Sequence, residues 1–255
     1  MLSQKEKATI TRKYQKRMKS ACQNLLAKRY GVDEMDPYWQ KVEERYDQIL
    51  DEAPDIGGEA NSMSHNFYEV AWIIALYDVV GRNLTTEEIN TVIHDVMEDG
   101  LHTLRKIPGK FLMERKFVRN LIIKSLDKYQ KKLEPHLYND WHNTWGMEVQ
   151  HDIDDGIHFV LRGCPIKDYC EKHGMMEILP HFCNMDHQMI QALQLYLIRS
   201  KTCSNGDETC EYTIVTNDNA LVEKNPILIK EDGLILTKVC SLITNNQRDK
   251  NLMCI

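Results

Sequence analysis

Turn-forming residues are scarce in this sequence, with 12 glycines and 7 prolines in 255 residues. That scarcity excludes collagen-like and low-complexity chains. No apolar run reaches the length of a membrane span, because charges interrupt each one. The start, Met1-Leu2-Ser3-Gln4-Lys5-Glu6, lacks the apolar core of a signal peptide, and Cys254 stands too late for a prenylation box. A cytoplasmic location with no membrane partner is expected. No Walker-type glycine loop, dinucleotide fingerprint, nucleophile-elbow serine or kinase signature occurs, which argues against phosphoryl and hydride transfer on their usual scaffolds. Excess charge of one sign is missing too: the net charge is −6. Nothing there attracts a phosphate backbone, so no nucleic-acid partner is expected. The basic run Lys5, Lys7, Arg12, Lys13, Lys16, Arg17, Lys19 reads as the solvated face of a helix.

What is present is an ordinary globular composition, 42% hydrophobic and 27% charged, long enough for a sizeable core. Eight cysteines occur, five of them between Cys164 and Cys210. A secreted disulfide framework would spread them through a smaller chain. In a reducing compartment the cluster points to a metal site, a nucleophile or core filling.

The first half reads as helical. Good helix formers run from Ser3 to Arg29 with Gly31 as a stop, a second helix spans Pro37 to Leu50, and Gly57-Gly58 breaks the chain. Phe67, Val70, Ala71, Ile74 and Tyr77 repeat at helical spacing up to Gly81. Thr85-Thr86-Glu87-Glu88 supplies a capping-box start for the stripe Ile89, Val92, Ile93, Val96, Met97. After Pro108-Gly109 a helix from Phe111 to Lys132 is predicted, with Phe117, Val118, Leu121 and Ile122 inward.

Beyond Gly146 the period changes. Ile157, Phe159 and Leu161 alternate as in a strand, and Pro165 suits the first turn of a short helix to Lys172, stopped by His173-Gly174. A helix over Asn184 to Leu193 and strands over Leu195 to Lys201 and Cys210 to Thr216 follow, the strands joined through Asn205-Gly206-Asp207. A last hairpin pairs Ile227 to Lys230 with Leu234 to Lys238, and the tail from Asn245 is polar. The expected fold is α+β: an N-terminal helical half (1–145) packed on a mostly antiparallel C-terminal sheet with short inserted helices (146–244), then a polar tail (245–255), in one integrated domain.

Reactive side chains concentrate in Glu177-Ile178-Leu179-Pro180-His181-Phe182-Cys183-Asn184-Met185-Asp186-His187. This reading places Cys183 at or next to a helix start, where unpaired amides favour a thiolate. His181 or His187 is positioned to take its proton. Asp186 lies one helical turn on, and Glu177 offers a second acid or base. The plain alternative makes Asp186 part of a helix cap and Cys183 a small buried hydrophobe. Cys164, His181, Cys183 and Cys210 could instead gather around zinc, but no Cys-x-x-Cys, His-x-x-x-His or His-Glu-x-x-His pair supports it. The metal ligands are therefore unknown. His94, His102, His136, His142 and His151 are scattered and read as surface or satisfied core residues.

Taken in order, Cys164-Pro165-Ile166, Gly174, Glu177, Pro180, Cys183, Asp186, Leu197-Ile198-Arg199, Thr202, Gly206-Asp207 and Cys210-Glu211-Tyr212 form one succession. It resembles the L-2-amino-thiazoline-4-carboxylic acid hydrolase family over roughly Arg162 to Thr216. The family pattern is a Cys-Pro element, a Gly and Glu, a Cys-x-x-Asp pair, an Arg-x-x-Thr strand and a closing Gly-Asp-x-x-Cys-x-aromatic hairpin. The resemblance implies opening of a thiazoline ring by water added at the amidine carbon, yielding N-carbamoyl-cysteine.

The function expected on that basis is a hydrolase acting on a carbon–nitrogen bond of a small cyclic or amidine-like substrate. Cys183 would attack the sp² carbon while His181, Asp186 or Glu177 moves protons. Arg199 would hold a substrate carboxylate or make an ordinary surface pair, with Cys164, Thr202 and Cys210 lining the substrate. No cofactor is required on this reading, and metal-bound hydroxide is the alternative. The partner is a small-molecule substrate, and a homo-oligomer is compatible. The closing hairpin also resembles vinyl-reductase-like small-molecule-binding domains, so a non-catalytic sensor is the second function carried forward.

Overall fold

Ser3 opens the first helix by a reciprocal cap: its hydroxyl accepts the Glu6 amide, and its own amide donates to the Glu6 carboxylate at 2.9 Å. The computed structural model describes residues 2–137, 141 and 144–237. His142, Lys238 at the end of the expected last strand, and the tail from Asn245 lie outside the described residues. The helices are α1 (Gln4–Tyr30), α2 (Met35–Glu52), α3 (Ser64–Val79), α4 (Thr86–Leu104), α5 (Gly109–Met113), α6 (Lys116–Leu137), α7 (Pro165–Lys172), α8 (Leu179–Ala192) and α9 (Ala220–Lys224). The strands are β1 (Gly146–Gln150), β2 (Ile157–Arg162), β3 (Leu195–Ile198), β4 (Thr209–Thr216), β5 (Ile227–Ile229) and β6 (Ile235–Thr237). The class is α+β, with the helices first and the antiparallel pairing in the C-terminal part.

The chain divides into two compact units interleaved along the sequence. The first comprises Met1–Gly100, Lys131–Gly146 and Gly163–Phe182. Its central element is α3, buried nearly all round from Phe67 to Tyr77, which is why that segment shows no clean apolar stripe. Trp72 stacks between Trp39 at 5.2 Å and Tyr46 at 3.8 Å between centroids. Each such pair contributes about 1 kcal/mol beyond its area burial. Gly57, at φ +93°, is obligatory there, because a Cβ would lie 2.4 Å from the Trp141 ring. Tyr169 of α7 donates to Glu52 at 2.6 Å, and Arg45 bridges Glu52 and Asp78.

The second unit comprises Leu101–Gln130, Met147–Arg162 and Cys183–Ile255. Its sheet has the order β1-β2-β4-β3, with β2 and β3 each antiparallel to β4. The register sets Phe159 opposite Tyr212 and Leu161 opposite Cys210. Met113, Ile157 and Leu195 form the core of this unit, and Ile122, Ile123, Leu126, Ile190 and Leu193 pack on it.

Two expectations fail here for local reasons. Phe117 and Leu121 do not point inward; they are 73% and 50% exposed. The predicted single helix is broken after Met113, and α6 restarts at Lys116, half-burying the narrower face of Val118, Ile122 and Leu126. The helix expected from Asn184 begins at Leu179, because a 3-10 turn at Met176–Ile178 runs directly into it without a side-chain cap.

Candidate functional site

The earlier start of α8 removes the expected ground for an activated Cys183. Cys183 sits inside the helix, where the amides are already paired, and burial pushes its thiol up to about 11. Asp186 adds to that effect, and Arg199 opposes it.

Arg199 organises the site, and all the groups it joins belong to the second unit. Following β3, it is 0% exposed, so the reading of an ordinary surface pair is wrong. Its Nη1 donates to the Cys183 carbonyl at 2.6 Å and to Asp186 Oδ2 at 3.0 Å, and its Nη2 donates to the Ile235 carbonyl at 3.1 Å. Nε has no partner. A buried guanidinium needs such a set, since an unpaired charge in the interior costs several kcal/mol.

Asp186 is held by two donors on the same oxygen: Arg199, and the Tyr212 hydroxyl at 2.9 Å. Its other oxygen, Oδ1, accepts no hydrogen bond from the described residues, and the side chain remains 37% exposed. Burial raises the carboxyl pKa, against the lowering pull of Arg199 and Tyr212. Tyr212 stacks on Phe159 at 4.9 Å, its partner across β2 and β4. Burial, followed by the Asp186 charge, raises the phenol well above its usual range, so it stays a donor.

The closing motif explains the remaining geometry. Gly206, at φ +88°, turns the loop, and Asp207 Oδ2 accepts the Thr202 amide at 3.0 Å and the Asn205 side chain at 3.1 Å. This loop sets the Cys203 amide 3.2 Å from Cys210 Sγ. Thr202, fully buried, places its hydroxyl 3.4 Å from Cys210 Sγ and 3.7 Å from Cys183 Sγ. Hydrogen bonding from the Cys203 side chain, then from Thr202 and the Cys203 amide, lowers the Cys210 thiol to about 6 against burial, with help from Arg199.

Of the residues singled out in sequence, Cys183, Asp186, Arg199, Thr202 and Cys210 are thus linked by direct contacts. Glu177, His181 and Cys164 have partners in the first unit. Glu177 accepts the Tyr77 hydroxyl at 2.7 Å, His181 Nδ1 pairs with Asn90 Oδ1 at 2.8 Å, and Cys164 Sγ caps α7 by accepting the Lys167 amide at 3.4 Å. His181 and Cys183 are two apart on a helix and so point to different faces. His187 is buried, its ring bonded to the Ile235 backbone, and burial followed by Arg199 lowers it to about 4. Tyr212 was not singled out, although the aromatic position that closes the hairpin motif marks it. Cys203 contributes through its side chain and its backbone amide, and in the sequence it is marked only as one of the five clustered cysteines.

Among the described residues no group of three or more His, Cys, Asp or Glu side chains could hold a metal ion. No helix of the described residues is long and apolar enough to cross a membrane.

No curated protein matches the chain. Among solved structures, the crystal structure of the Fe(II) unliganded H-NOX protein from K. algicida is 12% identical, covering 80% of this chain and 96% of that one, with a TM-score of 0.29. Likeness at that level transfers nothing. The family model for L-2-amino-thiazoline-4-carboxylic acid hydrolase matches residues 61–214, a stretch that contains Cys183, Asp186, Arg199, Thr202, Cys210 and Tyr212. The chain belongs to the L-2-amino-thiazoline-4-carboxylic acid hydrolase family.

Proposed function

We propose that this protein is a hydrolase that opens a small cyclic, amidine-like substrate at its sp² carbon. The family name points to this chemistry, and one observation carries it: Asp186 has one oxygen fixed by Arg199 and Tyr212 and the other open. A carboxyl fixed in that way can hold an amidine N–H and exchange a proton with the reacting nitrogen. Its raised pKa brings it nearer the pH at which such exchange is efficient.

Cys183, one turn from Asp186, is the nucleophile in this reading. The Cys183 S–H bond breaks as its sulfur bonds to the amidine carbon, the C=N electron pair moves to nitrogen, and the Asp186 carboxylate carries the S–H proton to that nitrogen. Collapse then expels one ring heteroatom, which leaves with a proton. Water adds to the same carbon, giving its proton to the carboxylate, and the Cys183 thiol departs. For a thiazoline, expulsion of sulfur yields an N-carbamoyl product, whereas expulsion of nitrogen breaks the carbon–nitrogen bond and yields an S-carbamoyl product. No cofactor enters this sequence, and the partner is the small substrate alone.

The test is turnover of a panel of thiazolines and cyclic amidines, with ring-opened products identified by mass spectrometry. Asp186→Asn is expected to lower kcat by a factor of about 10² or more. Unchanged kcat in that variant removes the assignment. Binding across the panel without turnover by the wild-type chain would favour a small-molecule sensor instead.

A further inference from the structure

Two thiols beside Cys183 take no part in the ring opening. Cys203 lies in the 3-10 turn before β4, and Cys210 lies at the start of that strand, both in the second unit. The loop between them is tied shut. The Glu211 amide donates to the Lys201 carbonyl at 3.1 Å, the Asp207 amide donates to the Thr202 carbonyl at 3.3 Å, and Asp207 Oδ2 accepts the Thr202 amide at 3.0 Å. The chain entering the turn and the chain leaving it therefore run side by side.

Across that loop the Cys203 amide donates to Cys210 Sγ at 3.2 Å. Cys203 Sγ lies 4.0 Å from the Glu208 carbonyl oxygen, so it faces the segment that carries Cys210. A disulfide needs its two Cα atoms within about 7 Å. With the Cys210 sulfur already against the Cys203 main chain, side-chain rotation closes the bond and the backbone stays in place. Cys183 is placed differently. The buried Thr202 hydroxyl separates it from Cys210, donating to Cys183 Sγ at 3.7 Å and lying 3.4 Å from Cys210 Sγ.

We propose that Cys203 and Cys210 form a peroxide-reactive dithiol, in which Cys210 takes the oxidant and Cys203 resolves it as a disulfide. Cys210 reacts first because the thiolate is the nucleophilic form, and the Cys203 amide and Arg199 favour negative charge on its sulfur. These groups keep it ionised near neutral pH, with a midpoint of about 6, whereas Cys183 stays a thiol up to about 11. Both members of the pair are buried, and hydrogen peroxide is close to water in size.

The Cys210 thiolate attacks one peroxide oxygen. The S–O bond forms, the O–O bond breaks, and hydroxide leaves and takes a proton from solvent. The Cys203 sulfur then attacks Cys210, the S–O bond breaks, and the departing hydroxide takes the Cys203 thiol proton as water. Two thiols are oxidised and one peroxide is reduced to water, and an external dithiol reverses the bridge by exchange.

The test treats the full chain with equimolar hydrogen peroxide near neutral pH, alkylates the remaining thiols in acid denaturant, and maps tryptic peptides without reduction. Residues 202–224 form one tryptic peptide holding both cysteines, and Cys183 falls on another. The 202–224 peptide should appear unalkylated and lighter by two hydrogens, and dithiothreitol should restore both alkylation sites. Cys210 should be lost at least about tenfold faster than Cys183, the effect of one pKa unit or more. In Cys203→Ser, dimedone should trap a sulfenic acid on Cys210. In Cys210→Ser, oxidation of Cys203 should slow at least about tenfold.

The dithiol is overturned if the bridge joins Cys183 to either partner, or if dimedone marks some other cysteine in Cys203→Ser. Unchanged oxidation of Cys203 in Cys210→Ser overturns it equally. Circular dichroism reports whether each variant folds; where one does not, the other and the wild-type bridge decide. No arm uses a cyclic amidine, so failure of the dithiol and failure of the hydrolase reading are told apart.

Discussion

His187 lies one turn beyond Cys183 on α8, 2% exposed, with its ring bonded to the Ile235 backbone and lowered to about 4. An unfolded histidine titrates near 6.5. Between those values the unfolded chain takes up a proton that the folded chain refuses. The resulting stability is fully present above about pH 6.5 and is lost as pH falls through about 4. By about pH 4.5 the loss should be of order 2.5 kcal/mol. Urea melts at neutral pH and near pH 4.5 measure it, and His187→Leu should shrink the difference; an equal difference in the variant would show that other groups drive acid unfolding. At this scale the sequence was informative where chemistry is local. Cys183 and Asp186 fall on one face because they are three apart on a helix, and that much needs no tertiary knowledge. The partners of Asp186 were not legible, since Tyr212 reaches it only through the register of β4 and Arg199 only through the burial of the chain after β3.

A loop and a helix break decide the element scale. The expected helix from Phe111 onward carried a four-residue-wide stripe, and sequence alone does not say which half of such a stripe meets a core. The break between α5 and α6 selects Val118, Ile122 and Leu126 and leaves Phe117 and Leu121 outside. Phe117→Ser should therefore change stability by no more than about 0.5 kcal/mol. Met113→Ala, at 3% exposure in the core of the second unit, should lose about 2–5 kcal/mol. Urea denaturation of both variants checks the contrast, and a large loss in Phe117→Ser would restore the inward reading. The elements with strong punctuation were legible: α1 with its Ser3–Glu6 cap, α4 with Thr85 and Glu88, α7 opening at Pro165, and the turn at Gly206. The start of α8 was not, because Leu179 carries no capping side chain and the preceding 3-10 turn hides the boundary.

Across the molecule, the site depends on chain that the family model does not cover. The hairpin of β5 and β6 lies beyond residue 214, yet the Ile235 carbonyl accepts from Arg199 Nη2 at 3.1 Å. Thr237 exchanges two bonds with the Arg199 backbone, at 2.8 and 3.0 Å. Asn184, next to Cys183, ties the same hairpin to α8: its amide donates to the Gly233 carbonyl and its oxygen accepts from Ile235, each at 2.9 Å. The hairpin thus braces Arg199 and α8 together, and a buried Arg199 is what holds Asp186 in place. Asn184→Leu removes both bonds without touching Cys183, Asp186 or Arg199 directly. Two part-buried hydrogen bonds lost in this way are worth about 2 kcal/mol, enough to let the hairpin open locally before the chain unfolds. The expected result is faster limited proteolysis at the exposed turn Glu231-Asp232-Gly233, together with a lower kcat, while the global melt stays cooperative. A hairpin no more sensitive to protease than in the wild-type chain, with kcat reduced all the same, would place Asn184 in the reaction itself.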